Sequence, residues 1–384
     1  MTGALLVVVP FAPSDGISPA TVVAGLPLIT RLVRAGKAAG YSDVLVCDMG
    51  AGIHGLVASA GAAMLTSRGI APRGRCRIVL TPANVVPQPR WLSALLSEPI
   101  QPERLYVDGA SVVLVETARP DTVITAAARC ESAPALVDAL SRLFEHGPRP
   151  LTPDGHLPLS SARDVPTAEA WLLRGLIKQN EGFMSRHFER RISLAITRRL
   201  AVTSATPNAM TLVSLAVGLA AAPFFVSSSA LWQLTGALLF LAHSILDGCD
   251  GELARLKFLQ SRRGAILDFW GDNVVHVAVF SCIAIGWALG SGTASPLALG
   301  AVTVVGTLGS AALVFRRTAD DRAPDANSPA AARVAAALAS RDFIYLLIVC
   351  SAFAKASWFL VAAAVGTPAF FLVVLWNERR DGIR

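Results

Sequence analysis

Apolar residues follow two regimes along the chain. Up to about residue 180 they come in short runs, GALLVVV at 3–9, SDVLVCD at 42–48, CRIVLT at 76–81 and ASVVLVET at 110–117, broken by Pro, Gly, Asp and Arg. Short β-branched runs bounded by turn formers predict buried strands. Between the first two, LPLITRLVRAGKAAG (26–40) has the spacing of a helix. Strands alternating with helices predict an α/β domain with a largely parallel sheet. Residues about 119–180 read as mostly helical, with the Pro/Ser-rich TPDGHLPLSSARDVPT (152–167) as a connector. The opening MTGALLVVVPFAPSDG has no basic start and only a short apolar run, so it reads as a first buried strand and not as a signal peptide.

The second regime begins after Thr206. Six apolar segments near membrane-spanning length follow, at about 209–227, 230–248, 267–290, 295–315, 341–355 and 358–376. Lys355 and Trp358 blur the break between the last two. Just before them, FMSRHFERRISLAITRRLA (183–201) alternates Arg clusters with Phe, Ile and Leu at helical spacing, which predicts an amphipathic helix lying in the membrane interface. The expected architecture is an α-helical membrane bundle of six transmembrane helices plus this interfacial helix, behind an N-terminal soluble α/β domain. The divisions fall at 1–165 for the soluble domain, 166–182 for a linker and 183–384 for the membrane domain.

Composition supports the embedded half. Of 384 residues, 53% are hydrophobic and 16% charged, and the mean hydropathy of +0.53 exceeds that of an ordinary soluble protein. The net charge of +7 is concentrated beside the predicted spans, in SRHFERRISLAITRRLA, ARLKFLQSRR (254–263), FRR (315–317) and NERRDGIR (377–384). Topology and anionic lipid account for these clusters without nucleic acid. An even span count puts both termini on one side, and the basic 254–263 loop makes that side cytoplasmic. The six cysteines form no C-x-x-C pair, so neither a disulfide framework nor a zinc knuckle is expected.

The candidate chemistry lies in LDGCDGELAR (246–255) and the segment after it. Carboxylates at the edge of hydrocarbon are costly and mark a site. Asp247 and Asp250 are three apart and Asp268 and Asp272 four apart, so each pair shares one face of its helix. A hairpin between them would bring four carboxylates together. They cannot all stay ionised there without cations, and hard, oxygen-liking Mg²⁺ or Mn²⁺ is the natural complement. Gly251 and Gly264 leave bare backbone for close approach, and Arg255 can offer a guanidinium to phosphate. Helix-end ion pairs with Arg255, Arg262 or Arg263, or a cation pathway, would account for the acids but not for the fixed glycines, alanine and arginine.

The full pattern, Asp247-x-x-Asp250-Gly251-x-x-Ala254-Arg255, eight residues, then Gly264-x-x-x-Asp268-x-x-x-Asp272, resembles the signature of the CDP-alcohol phosphotransferase family, over about residues 180–380. The resemblance implies a site for two divalent cations, Mg²⁺ or Mn²⁺, held by Asp247, Asp250, Asp268 and Asp272. It implies a CDP pocket shaped by Gly251, Ala254, Arg255 and Gly264. Asp272 would also take the proton of an acceptor alcohol, which attacks the β-phosphorus of a CDP-alcohol and expels CMP. Membrane lipids as surroundings, a role in phospholipid synthesis and a homodimer follow from the same likeness, with transfer of a polyol phosphate to a polar product as the alternative. In a different class, a cation-transport protein or a non-catalytic scaffold would use the acids otherwise. His243 and His276 sit one turn outside the aspartates and read mainly as packing residues. Asn208, in the turn TSATPN (203–208), either contacts nucleotide or helps the chain enter the first span.

The front segment VVAGLPLITRLVRAGKAAGYSDVLV (22–46) resembles the stretch after the glycine-rich loop in nucleotidyltransferases that make sugar and polyol nucleotides. Some CDP-alcohol phosphotransferases are fused to such a domain. Here PFAPSDGISPA (10–20) replaces a loop of the type A-G-G-x-G-T-R, Leu26 stands where Lys or Arg is usual, and TPANVV (81–86) replaces a metal-binding Gly-Asp. With neither phosphate cradle nor metal carboxylate, the domain is expected to be catalytically silent. Asp15 and Asp108 are too isolated to restore a site.

Overall fold

Strand β1 (Gly3–Val9) is buried from Leu5 to Val9. Leu6 and Val8 face one apolar cluster, Leu5, Val7 and Val9 the other, because successive side chains of a strand point to opposite faces. Both faces are covered, which is why the run is continuously aliphatic and not alternating. The computed structural model describes residues 3–12, 15–65, 74–152, 154–177, 184–319 and 343–381. It divides into two compact units, Met1–Gly175 with Leu256–Phe258, and Leu176–Arg255 with Leu259–Arg384.

The first unit is built on a seven-stranded sheet. Besides β1 it contains β2 (Asp43–Val46), β3 (Ala63–Met64), β4 (Cys76–Pro82), β5 (Arg104–Val107), β6 (Val113–Thr117) and β7 (Glu145–His146), in the order β7-β5-β6-β4-β1-β2-β3. Six of these strands form the parallel pairings β4–β1–β2–β3 and β5–β7, but β6 runs antiparallel to both β4 and β5. The sheet is therefore largely parallel with one reversed strand. Helices α1 (Leu28–Ala39), α2 (His54–Ala60), α3 (Pro89–Ser97), α4 (Pro120–Arg129), α5 (Ala133–Ser141) and α6 (Val165–Arg174) complete the unit. Helix α6 occupies the first part of the stretch read as a linker, and Ala168, Leu172 and Leu173 on it are buried.

Two of the polar groups buried inside this unit are Asp108 and Arg31. Asp108 lies 2.9 Å from His156 Nε2 through Oδ2, with both side chains almost wholly buried. Its Oδ1 accepts the N–H groups of Ala110 and Val112, and Trp91 stacks on the imidazole with centroids 4.3 Å apart. Asp108 is thus a structural anchor for the connector. Asp108→Ala is expected to cost about 3–5 kcal/mol, the penalty of leaving one buried partner alone, and hydrogen exchange over β4 and β6 in the full chain would measure it. The second group is Arg31, 1% exposed, which donates to the carbonyls of Val23, Ala24 and Leu256. Burial pushes its guanidinium down to about 10.

The second unit is helical: α7 (Arg190–Ala201), α8 (Pro207–Ala221), α9 (Ala230–Lys257), α10 (Arg262–Ser291), α11 (Ser295–Ala319), α12 (Phe343–Ala352) and α13 (Ala356–Asp381). Five stretches, Pro207–Val226, Ala230–Lys257, Arg262–Ser291, Ser295–Arg316 and Ala356–Trp376, are long and apolar enough to cross a membrane. The chain is an integral membrane protein. The expected span at about 341–355 is described only as α12, ten residues long, about half the hydrocarbon thickness at 1.5 Å per residue. It closes where Ala354 takes φ 55° and Lys355 N–H donates to Cys350 O. Residues 341–342 lie outside the described residues. The predicted interfacial segment appears as wide turns over Ser185–Glu189 running into α7, with Ser193 and Thr197 turned inward and Arg191, Arg198 and Arg199 exposed.

Candidate metal and nucleotide site

Helices α9 and α10 carry the two halves of the signature. Ser261 caps α10 by accepting the N–H of Gly264 at 3.0 Å. Phe258, at φ 58°, and Leu259, whose N–H donates to Ala254 O, turn the chain between the helices. The hairpin expected from the spacing is therefore formed.

Ligand atoms of Asp247, Asp250 and Asp268 all lie within 4.8 Å of one another. Asp247 and Asp250 are each 5% exposed, and Asp268 Oδ1 is buried without a hydrogen bond. Three carboxylates this close, largely withdrawn from water, suit a hard divalent cation. The fourth carboxylate, Asp272, stands outside that trio. Its Oδ1 is 3.5 Å from His243 Nε2, and its side chain is 25% exposed, against 5% for Asp247 and Asp250. The imidazole of His243 is oriented from behind, since Nδ1–H donates to Ser214 O at 2.9 Å. His276 sits one turn past Asp272 among Phe240, Phe280 and Phe343.

The residues expected around a nucleotide occupy the same end. Gly264 faces Asn208: a Cβ there would stand 2.9 Å from both Asn208 Oδ1 and Ser261 Oγ, so a larger residue would have to displace these side chains. Arg255 folds back along α9 so that Nη1 comes within 3.3 Å of the position a Cβ on Gly251 would take. Ala254 is partly buried on the same turn.

Two residues of this region were not singled out from the sequence. Thr211 on α8 donates through Oγ1 to Asp250 Oδ2 and is itself buried. It lies one helical turn after Pro207 in TPNAMTL, but a threonine in an apolar helix gives no local sign of a partner 39 residues away. Glu252, 0% exposed, accepts from Arg190, Ser193 and Thr197. The cost of an acid in an apolar helix, the argument applied to the aspartates, would have flagged it too.

A cavity of about 710 Å³ opens from the carboxylates into the bundle. Asp247, Asp268 and Asp272 stand at one end. Asn273, Thr307 and Ser310 line its side, and Phe240, Phe280, Phe343, Phe359 and Phe370 make the remainder largely apolar.

Residues 204–375 match the family described as CDP-alcohol phosphatidyltransferase. The chain is similar to the bifunctional IPC transferase and DIPP synthase of Rubrobacter xylanophilus, 39% identical over 150 residues, which are 39% of this chain and 33% of that protein. It is also similar to the CDP-diacylglycerol–serine O-phosphatidyltransferase of Mycobacterium tuberculosis, 34% identical over 92 residues, covering 22% of this chain and 31% of the other. Among solved structures, the Mycobacterium tuberculosis phosphatidylinositol phosphate synthase with CDP-DAG bound is 22% identical, covering 48% of this chain and 94% of that one at a TM-score of 0.36. The chain spans about a third of the length of the two curated relatives named here.

Proposed function

Residues 204–375 form a CDP-alcohol phosphatidyltransferase domain, and from that premise we propose that the protein transfers a phosphoalcohol group from a CDP-alcohol to an acceptor alcohol with release of CMP, in phospholipid synthesis. The observation that carries this reading is the convergence of Asp247, Asp250 and Asp268 at the mouth of a mainly apolar cavity. Carboxylates at one end suit the pyrophosphate through divalent cations, and aromatic walls at the other suit an apolar substituent on a substrate.

In the proposed chemistry, Asp247, Asp250, Asp268 and, with the second cation of a pair, Asp272 hold Mg²⁺ or Mn²⁺. The cations would neutralise the pyrophosphate and the leaving CMP. Thr211 keeps one Asp250 oxygen fixed. Gly251, Ala254, Arg255 and Gly264 border the nucleotide, with Arg255 offering its guanidinium to phosphate. Asp272, 25% exposed, accepts the proton of the acceptor hydroxyl as that oxygen bonds to the β-phosphorus. The bond from the β-phosphorus to the bridging oxygen breaks, and CMP departs with that oxygen.

The same proposal includes six spans with an interfacial α7, and a cytoplasmic site. The charge pattern supports that side, since Arg255, Lys257, Arg262 and Arg263 flank the α9–α10 turn whereas 227–229 and 292–294 carry no charge. A homodimer, and a nucleotidyltransferase-like front domain without turnover of its own, complete the reading. A second reading, transfer of a polyol phosphate to a polar product, is favoured by the name of the Rubrobacter xylanophilus relative.

The test is CMP release by the detergent-solubilised full chain across CDP-alcohols and acceptors, with Mg²⁺, Mn²⁺ or chelator. Acceptor-dependent release from CDP-diacylglycerol supports the phospholipid reading, and release only with polyol donors moves the assignment to the second. No release from any pair, with cation flux in liposomes, would overturn both.

A further inference from the structure

The three donors to Glu252 come from one face of α7. Arg190 Nη1 is 2.6 Å from Oε1, Ser193 Oγ donates to the same oxygen at 2.6 Å, and Thr197 Oγ1 donates to Oε2 at 2.7 Å. These residues are three and four apart, so they line up along the helix. Cys249 Sγ, one turn before Glu252, donates to Ser193 O at 3.5 Å. Gly248 leaves room for the guanidinium, since Arg190 Nη1 is 3.0 Å from where its Cβ would be. Ser193, Thr197, Cys249 and Glu252 are all at most 1% exposed.

The placement on α9 gives this contact its meaning. Glu252 follows Asp250 by two residues, about 200° around a helix of 3.6 residues per turn. Helix α9 thus presents its carboxylates on one side and is gripped by α7 on nearly the opposite side. Ionised carboxylates at Asp247, Asp250 and Asp268 would repel one another without a cation, and that repulsion bears on the rotation of α9 about its axis. A buried carboxylate holding one guanidinium and two hydroxyls resists such rotation, because breaking it strands a charge in a low-dielectric interior.

We propose that Glu252 is a positioning residue, which through α7 fixes the rotation of α9 and so keeps the carboxylate trio at cation-binding separation. The inference rests on the metal-site part of the proposed function, not on the identity of donor or acceptor. It assigns the amphipathic helix a task in addition to membrane contact: a brace behind the site.

The test uses the full chain in detergent and two readouts independent of turnover, Mn²⁺ affinity by electron paramagnetic resonance and the rate of N-ethylmaleimide labelling at Cys249, located by peptide mass. Glu252→Gln is expected to weaken Mn²⁺ binding about tenfold, the scale set by loss of outer groups that orient metal ligands, and to expose Cys249. Thr197→Val, which removes one donor, should show smaller changes of the same sign and decides the matter if Glu252→Gln does not fold. Faster Cys249 labelling with native Mn²⁺ affinity would overturn the proposal, since α7 would then only dock. Absence of Mn²⁺ binding in the native chain would overturn it together with the metal-site reading. Intact Mn²⁺ binding without CMP release from any donor leaves the same two measurements to decide it.

Discussion

Asp268→Asn is expected to weaken Mn²⁺ binding at least about a hundredfold and to cut CMP release by on the order of a thousandfold. In the proposed site Asp268 would be the α10 ligand beside Asp247 and Asp250 of α9, with ligand atoms within 4.8 Å of one another, so its loss would open the site on one whole side. Asparagine keeps the volume and removes one of three mutually repelling charges, so the fold should persist. Chelator should reproduce the loss in the native protein, and added Mg²⁺ or Mn²⁺ should restore the native chain but not the variant. Titration of Mn²⁺ by electron paramagnetic resonance, beside a CMP assay, checks both halves. Native affinity in the variant would remove Asp268 from the metal site.

Asp272→Asn separates the two roles proposed for the fourth carboxylate. It lies outside the trio, against His243 Nε2 at 3.5 Å, and is more exposed than Asp247 and Asp250. Replacement should lower turnover roughly 10²–10⁴-fold, the usual worth of a positioned general base, while one Mn²⁺ ion still binds within several-fold of native affinity. Substrate binding should weaken only as far as the second cation contributes to it, because the first ion stays bound and an amide fills the same space without taking the proton. Loss of all Mn²⁺ binding would make Asp272 a ligand to the first ion, and near-native turnover would assign the base elsewhere. Single-turnover CMP release at saturating metal distinguishes these outcomes.

The parts of this architecture legible in the sequence are those set by local periodicity. Five apolar segments appear as helices of spanning length close to the expected bounds. The strands at 3–9, 43–46, 76–82 and 113–117 coincide with the aliphatic runs. The direction of β6 was not legible. Its reversal depends on pairing with β5, RLYV, where Arg104 and Tyr106 weaken the apolar signal. Arg31 reads as a surface arginine of an amphipathic helix, yet it is buried because carbonyls of Val23, Ala24 and the distant Leu256 receive its hydrogens.

The candidate site divides in the same way. Intervals of three and four put Asp247 with Asp250 and Asp268 with Asp272 on common helix faces, and that much belongs to the sequence alone, because helical phase is a property of neighbouring residues. Tertiary structure decided that Asp247, Asp250 and Asp268 close to within 4.8 Å while Asp272 turns to His243. It also decided that Thr211 holds Asp250 and that Glu252 meets Arg190 across 62 residues of chain. These outcomes depend on how helices cross and on burying each polar group beside a partner that offsets its desolvation, and neither condition is written in the spacing of residues along one helix.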